Sequence, residues 1–129
     1  MSDYTQAAQN LNTVAWCTNS IGILAWSMCL FLLMRNPNKM NRQALQSVQM
    51  LIYHVSEIIN NQTYYLNALS FYDQEPDWYN SKRNYIIDDS SAFLAAACFI
   101  VAHWQFAFDY FSLSYKTKLR NDNKPVNTN

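Results

Sequence analysis

The most informative feature of this 129-residue sequence is the charge that it lacks. Only 14% of its residues are charged, compared with roughly 25% in a typical soluble domain. No acidic, basic or histidine side chain lies between Asp3 and Arg35. Residues 14–34 within that gap are almost continuously apolar, and as a helix they would extend over roughly 31 Å, about the hydrocarbon thickness of a bilayer. The sequence therefore predicts that residues 14–34 cross a membrane.

Residues that make turns and bind phosphate are also scarce. There is one glycine, Gly22, and there are three prolines, which disfavours a β fold with many turns and excludes glycine-rich phosphate loops. The three cysteines show no metal-ligand spacing, and we find no hydrolase or kinase motif. The net charge is zero, so nothing indicates a nucleic-acid partner. We therefore expect an all-α protein of one domain, residues 1–129, with no enzymatic activity, cofactor or bound metal.

Two further segments have the pattern of membrane helices. Residues 91–113 are apolar, and we expect Asp88, Asp89 or Ser90 to cap their helix. Residues 44–66 are amphipathic, with an apolar stripe opposite a polar face. This middle helix either crosses the membrane with its polar face inside a bundle or lies in the membrane interface. The first alternative gives an integral membrane protein of about three transmembrane helices with a tail at 114–129.

The basic residues favour three crossings and predict an orientation. Three follow the first span and four lie in the tail, whereas the connection at 67–90 has only two. Three crossings place those seven on one side, which the positive-inside rule makes cytoplasmic, with the N-terminus outside. The sequence does not indicate which membrane. The seven residues are Arg35, Lys39, Arg42, Lys116, Lys118, Arg120 and Lys124.

A few residues inside the predicted spans are candidates for packing or function. Asn19 and Gly22 share a face of small residues on which another helix can pack closely. The polar candidates for an intramembrane cluster are His54, Glu57, His103 and Asp109. Ionisable groups inside a membrane are costly, so these residues have two interpretations. They form either a functional group, such as a proton relay or a polar ligand contact, or structural hydrogen bonds between helices. For Asp109, near the cytoplasmic end, the structural alternative is an interfacial residue, snorkelling or salt-bridged, within a turn or two of Lys116.

The segment 102–110, AHWQFAFDY, resembles a recurrent stretch in uncharacterised multi-pass membrane proteins of ciliated protists. In those proteins a His-Trp pair, then Phe-Ala and Tyr, lies in a membrane helix of a seven-helix architecture. The resemblance implies a shortened member or a fragment and no particular activity.

The sequence as a whole leaves three hypotheses for the function: a receptor-like protein, an accessory subunit of a larger membrane complex such as a respiratory assembly, or a component that conducts protons or solutes. In each, the partners are the lipid bilayer and other transmembrane helices or subunits.

Overall fold

A computed structural model describes residues 1–36, 41–73 and 82–126, and these residues form three α-helices and no strand. The helices are α1 (Asp3–Met34), α2 (Asn41–Asp73) and α3 (Lys82–Asp122). The all-α prediction is therefore confirmed for the described residues. Lys39, residues 127–129 of the tail and the side chains of Lys82 and Arg83 lie outside the description.

The three helices run antiparallel, and α2 lies between α1 and α3. Contacts near both ends of α2 define this register. At one end Ser2 donates its backbone N–H to Oδ1 of Asp73 at 2.8 Å. At the other end Arg42 pairs with Asp109 across the α2–α3 contact. Helix α2 is therefore paired with a neighbour along its whole length.

All three helices extend beyond the predicted spans. Helix α1 begins at Asp3, because Ser2 is its N-cap and the Ser2 Oγ accepts the Thr5 N–H at 3.1 Å. Helix α3 begins at Lys82, so the predicted cap at residues 88–90 is wrong, and that segment lies inside the helix. The same helix continues to Asp122, which makes most of the predicted tail helical.

The burial of side chains is opposite to that of a water-soluble bundle. Gln46 and Ser47 are 2% and 1% exposed, and the buried apolar residues are mostly alanines. Large apolar side chains such as Leu24, Phe93 and Trp104 point outward, with 71%, 76% and 76% exposed. Soluble proteins rarely expose apolar patches larger than a few hundred Å². Small and polar side chains therefore form the contacts between helices, and bulky apolar ones form the outer surface.

Two of the helices are long and apolar enough to cross a membrane, judged by length and composition. These are α1 and the Tyr85–Asp122 part of α3. Helix α2 does not meet that criterion within the described residues. Its buried side chains are largely polar, which lowers the mean hydropathy of any window along it.

Candidate functional site

The central polar contact joins α1 to α2 and includes three of the residues singled out in the sequence. Nδ1 of His54 lies 2.8 Å from Oδ1 of Asn19. The amide nitrogen of Asn19 donates to the Ala15 carbonyl at 2.8 Å, so its Oδ1 is the acceptor and His54 carries a proton on Nδ1. The imidazole lies directly over Gly22, where any added Cβ would overlap the ring. Asn19 and Gly22 thus form a slot on α1 for the His54 side chain.

Further polar contacts continue this interface toward the N-terminus of α1. Oε1 of Gln62 accepts hydrogen bonds from Nδ2 of Asn12 at 2.9 Å and from Nε1 of Trp16 at 3.3 Å. One and a half turns further along α2, Oγ1 of Thr5 donates to the Ala68 carbonyl at 3.4 Å. Bonds of this kind between helices in lipid stabilise by about 0.6 kcal/mol on average and by about 1.7 at most. The α1–α2 interface is therefore a series of modest polar contacts.

Asp88 is the polar centre of the opposite interface, between α2 and α3. Its Oδ1 accepts from Nδ2 of Asn60 at 2.8 Å and from Oγ1 of Thr63 at 3.5 Å, and its Oδ2 accepts from Nδ2 of Asn67 at 3.4 Å. Asp88 precedes the apolar segment 91–113. Three α2 side chains thus hold a half-buried carboxylate of α3.

A surface pocket of about 220 Å³ lies beside Asp88. Four aromatic side chains, one carboxylate, one amide and one alanine line this pocket, which we call the aromatic pocket. Its lining residues are Tyr64, Asn67, Ala68, Phe71, Tyr72, Tyr85 and Asp88. Concave sites lined by aromatic rings with a few polar groups are typical of small-molecule binding.

Asp109 lies in a salt bridge near the other end of the bundle. Its Oδ1 is 3.1 Å from Nη1 of Arg42, and the two side chains are 31% and 51% exposed. The guanidinium of Arg42 also lies 5.0 Å from the ring centroid of Phe108. The partner of Asp109 is therefore Arg42, on the neighbouring helix, and not Lys116.

The other two members of the predicted cluster lie apart from each other. His103 is exposed, its Nδ1 is 2.8 Å from the Phe99 carbonyl, and its ring lies against that of Phe99. Glu57 is half-buried on α2. The antiparallel register separates Glu57 and His103 by roughly 15 Å along the bundle, at about 1.5 Å per residue. Across the described residues, no hydrogen bond or ion pair joins any two of the four predicted cluster residues.

The Asp88 network was not anticipated from the sequence, although a signal for it exists. Asn60, Thr63 and Asn67 recur at spacings of three and four, which places them on one face of α2. A stripe of hydrogen-bonding side chains in an amphipathic helix indicates a buried polar partner, and Asp88 is that partner.

Comparison with protein-family models, with curated proteins and with solved structures finds no match to this chain. Within the described residues, no group of three His, Cys, Asp or Glu side chains is placed to hold a metal ion. The chemistry of the site therefore has to be argued from the contacts themselves.

Proposed function

We propose that this chain is a multi-pass membrane protein with three spans, which acts through contacts with lipid and with other transmembrane helices and not as an enzyme. The observation that carries the proposal is the reversed polarity of the bundle. Between the helices lie Gln46, Ser47 and Asn19, whereas the outer surface is formed by leucine, isoleucine, phenylalanine and tryptophan side chains. Lipid is the solvent that favours this arrangement.

The outer face of α1 supports lipid contact in particular. Large apolar side chains of α1 recur on this outward face from residue 21 to residue 34. They are Ile21, Leu24, Met28, Phe31, Leu32 and Met34. Exposing these side chains to water would cost roughly 25 cal/mol for each Å² of apolar surface.

The position of α2 supports a third crossing. It is antiparallel to both neighbours and pairs with them from Asp73 at one end to Arg42 at the other. If α1 and α3 cross a bilayer, α2 crosses with them. Its polar groups are acceptable at that depth because neighbouring helices satisfy many of them, as Asn19 does for His54.

The charges at the two ends of the bundle agree with the proposed orientation. Arg35 and Arg42 lie at one end, and the last turns of α3 at this end carry further basic residues. Asp73 and Asp88 lie toward the other end. The positive-inside rule makes the first end cytoplasmic and places the N-terminus outside.

Two functional settings are compatible with this architecture. The resemblance of residues 102–110 favours a receptor-like protein or part of a seven-helix architecture. The alternative, an accessory subunit of a larger membrane complex, is favoured by an exposed apolar stripe on α2 with a spacing of three and four residues, the pattern of a helix-packing seam. That stripe consists of Leu45, Val48, Ile52, Val55 and Ile59. A longer reading frame with further spans would favour the first setting, and stoichiometric co-purification with other subunits would favour the second.

Topology mapping tests the proposal. Epitope tags are placed at the N-terminus, within residues 74–81 and at the C-terminus, and sealed microsomes are treated with protease. We expect the C-terminal tag to be removed and the other two to be protected, and detergent should expose all three. Protection of the N- and C-terminal tags together would show that α2 does not cross. Release of the protein by alkaline carbonate would refute membrane integration altogether.

A further inference from the structure

We propose that the aromatic pocket binds a primary ammonium group, held by Asp88 and Asn67 beside tyrosine and phenylalanine rings. The proposal goes beyond a membrane-embedded packing role and does not depend on the number of spans. It requires only the α2–α3 contact, since all the lining residues belong to those two helices.

The first observation is a carboxylate with no cationic partner. Asp88 receives its hydrogen bonds from two asparagine amides and one threonine hydroxyl, all of them neutral. No described Lys, Arg or His side chain forms an ion pair with it. A half-buried carboxylate is stabilised by an opposite charge nearby, so a bound cation would complete this network.

The second observation is an unused acceptor in the same pocket. Asn67 is only 8% exposed, and its Oδ1 is buried without a hydrogen-bond partner among the described residues. Its Nδ2 is already directed at Oδ2 of Asp88. A buried polar atom without a partner is costly, and a ligand that carries N–H donors would remove that cost. This need for donors favours a primary ammonium over a quaternary one.

The third observation is the set of rings around these acceptors. Tyr64, Phe71, Tyr72 and Tyr85 line the pocket together with Asp88. The faces of aromatic rings attract cations, including the ammonium group of lysine. The volume of about 220 Å³ is below the roughly 300–1,000 Å³ of drug-sized sites, which suits a small amine or the headgroup of a lipid.

The test measures binding of 2-phenylethylamine to the full chain in phosphatidylcholine nanodiscs by titration calorimetry, with empty nanodiscs subtracted. We expect saturable binding of the amine, weaker binding of its N-trimethyl analogue and none of 2-phenylethanol. The N-trimethyl analogue lacks N–H donors, and the alcohol lacks the charge. Equal binding of the trimethyl analogue, equal binding of the alcohol or no binding of the amine would each overturn the proposal.

Three variants locate the site. Asp88→Asn should weaken amine binding at least about tenfold, which corresponds to about 1.4 kcal/mol. The matched control is Asp89→Asn, which removes the same charge from the adjacent exposed residue and should change binding less than about twofold. Tyr64→Leu alters an exposed side chain, so it should keep the fold, and we expect about threefold weaker binding from the loss of one ring. Equal effects of the Asp88 and Asp89 variants, or unchanged binding in Tyr64→Leu, would refute this location.

The ammonium group belongs either to a soluble amine or to the headgroup of phosphatidylethanolamine. Repeating the titration in nanodiscs that contain phosphatidylethanolamine distinguishes these sources. If phosphatidylethanolamine competes with the amine and Asp88→Asn abolishes that competition, the site binds the lipid headgroup. An unchanged affinity for the amine assigns it to a soluble ligand.

Discussion

Gly22→Ala should loosen the contact between α1 and α2, because the added methyl group would occupy the space of the His54 imidazole. The new Cβ would lie 2.7 Å from Nδ1 of His54 and closer still to two other ring atoms. The ring cannot keep this position, so its 2.8 Å contact with Oδ1 of Asn19 would be lost or lengthened.

The expected loss of stability combines three effects. Losing an interhelical hydrogen bond in lipid costs about 0.6–1.7 kcal/mol. Forcing a methyl group into an occupied space costs about 1–3 kcal/mol. Replacing glycine by alanine within a helix returns about 0.8–1 kcal/mol. Repacking and bond loss together are larger than the gain in helix propensity in most of this range, so the net destabilisation should be about 0.6–3.9 kcal/mol.

Reversible unfolding in mixed detergent micelles, followed by circular dichroism, measures this loss. The informative control is the same substitution in a His54→Ala background, where the ring is absent. There Gly22→Ala should be neutral or stabilising by up to about 1 kcal/mol, because only the helix-propensity term remains. Ser27→Ala on the exposed face of α1 should change stability by less than about 0.5 kcal/mol. Equal destabilisation in both His54 backgrounds would refute the proposed slot.

Two further predictions concern the ends of the bundle. Asp109→Asn should destabilise by only about 0.2–1 kcal/mol, because the ion pair with Arg42 is partly exposed, and rising salt should reduce the difference between the two proteins. A loss above about 2 kcal/mol would contradict this. At the other end, the hydrogen bond from the Ser2 N–H lowers the pKa of Asp73 below its ordinary value of 3.8. The carboxylate therefore contributes fully to stability above pH 3.8, and this contribution is lost as the pH falls through the lower pKa of the folded state. The protection of first-turn α1 amides, which is the exchange rate relative to that of the unfolded chain at the same pH, should fall over that acidic range, and Asp73→Asn should abolish this fall. A fall in protection that persists in the variant would refute the role of Asp73.

The helices and the C-terminal end of α1 at Met34 could be predicted from the sequence, but the other helix ends were not located. The apolar run of residues 14–34 identifies the core of α1, whereas residues 3–13 are polar and show no membrane signal. They are helical because Ser2 caps the chain and because Thr5 and Asn12 contact α2. Such contacts depend on a partner helix, which hydropathy does not describe. The same reason explains why the helix cap predicted at residues 88–90 is wrong. The Asp88 carboxylate accepts hydrogen bonds from α2 and does not cap the start of its own helix.

The placement of single polar side chains depends on which face of a helix meets its neighbour. Ser91, Ala95 and Ala102 are buried and recur at spacings of four and seven, so they form the face of α3 toward α2. Asp109 continues that stripe and reaches Arg42, whereas His103 is one position away and points outward. The positions of both residues along the predicted span place them at membrane depth, but position alone does not show which face of the helix each one occupies. The stripe of small residues does, because only small side chains allow close helix contact.

Helix α2 shows why average hydropathy understates the apolar face of a helix that lies between two others. It contacts neighbours on two sides, so its sequence has to supply hydrogen-bonding groups in two directions, such as Gln62 toward α1 and Asn60 toward α3. Both groups lower the average, yet each has a partner on the neighbouring helix, so much of the transfer cost that hydropathy assigns to them is not incurred. The side facing neither neighbour is apolar, from Leu45 to Ile59. A helix between two others should therefore be judged by the residues on its uncovered face and not by its average hydropathy.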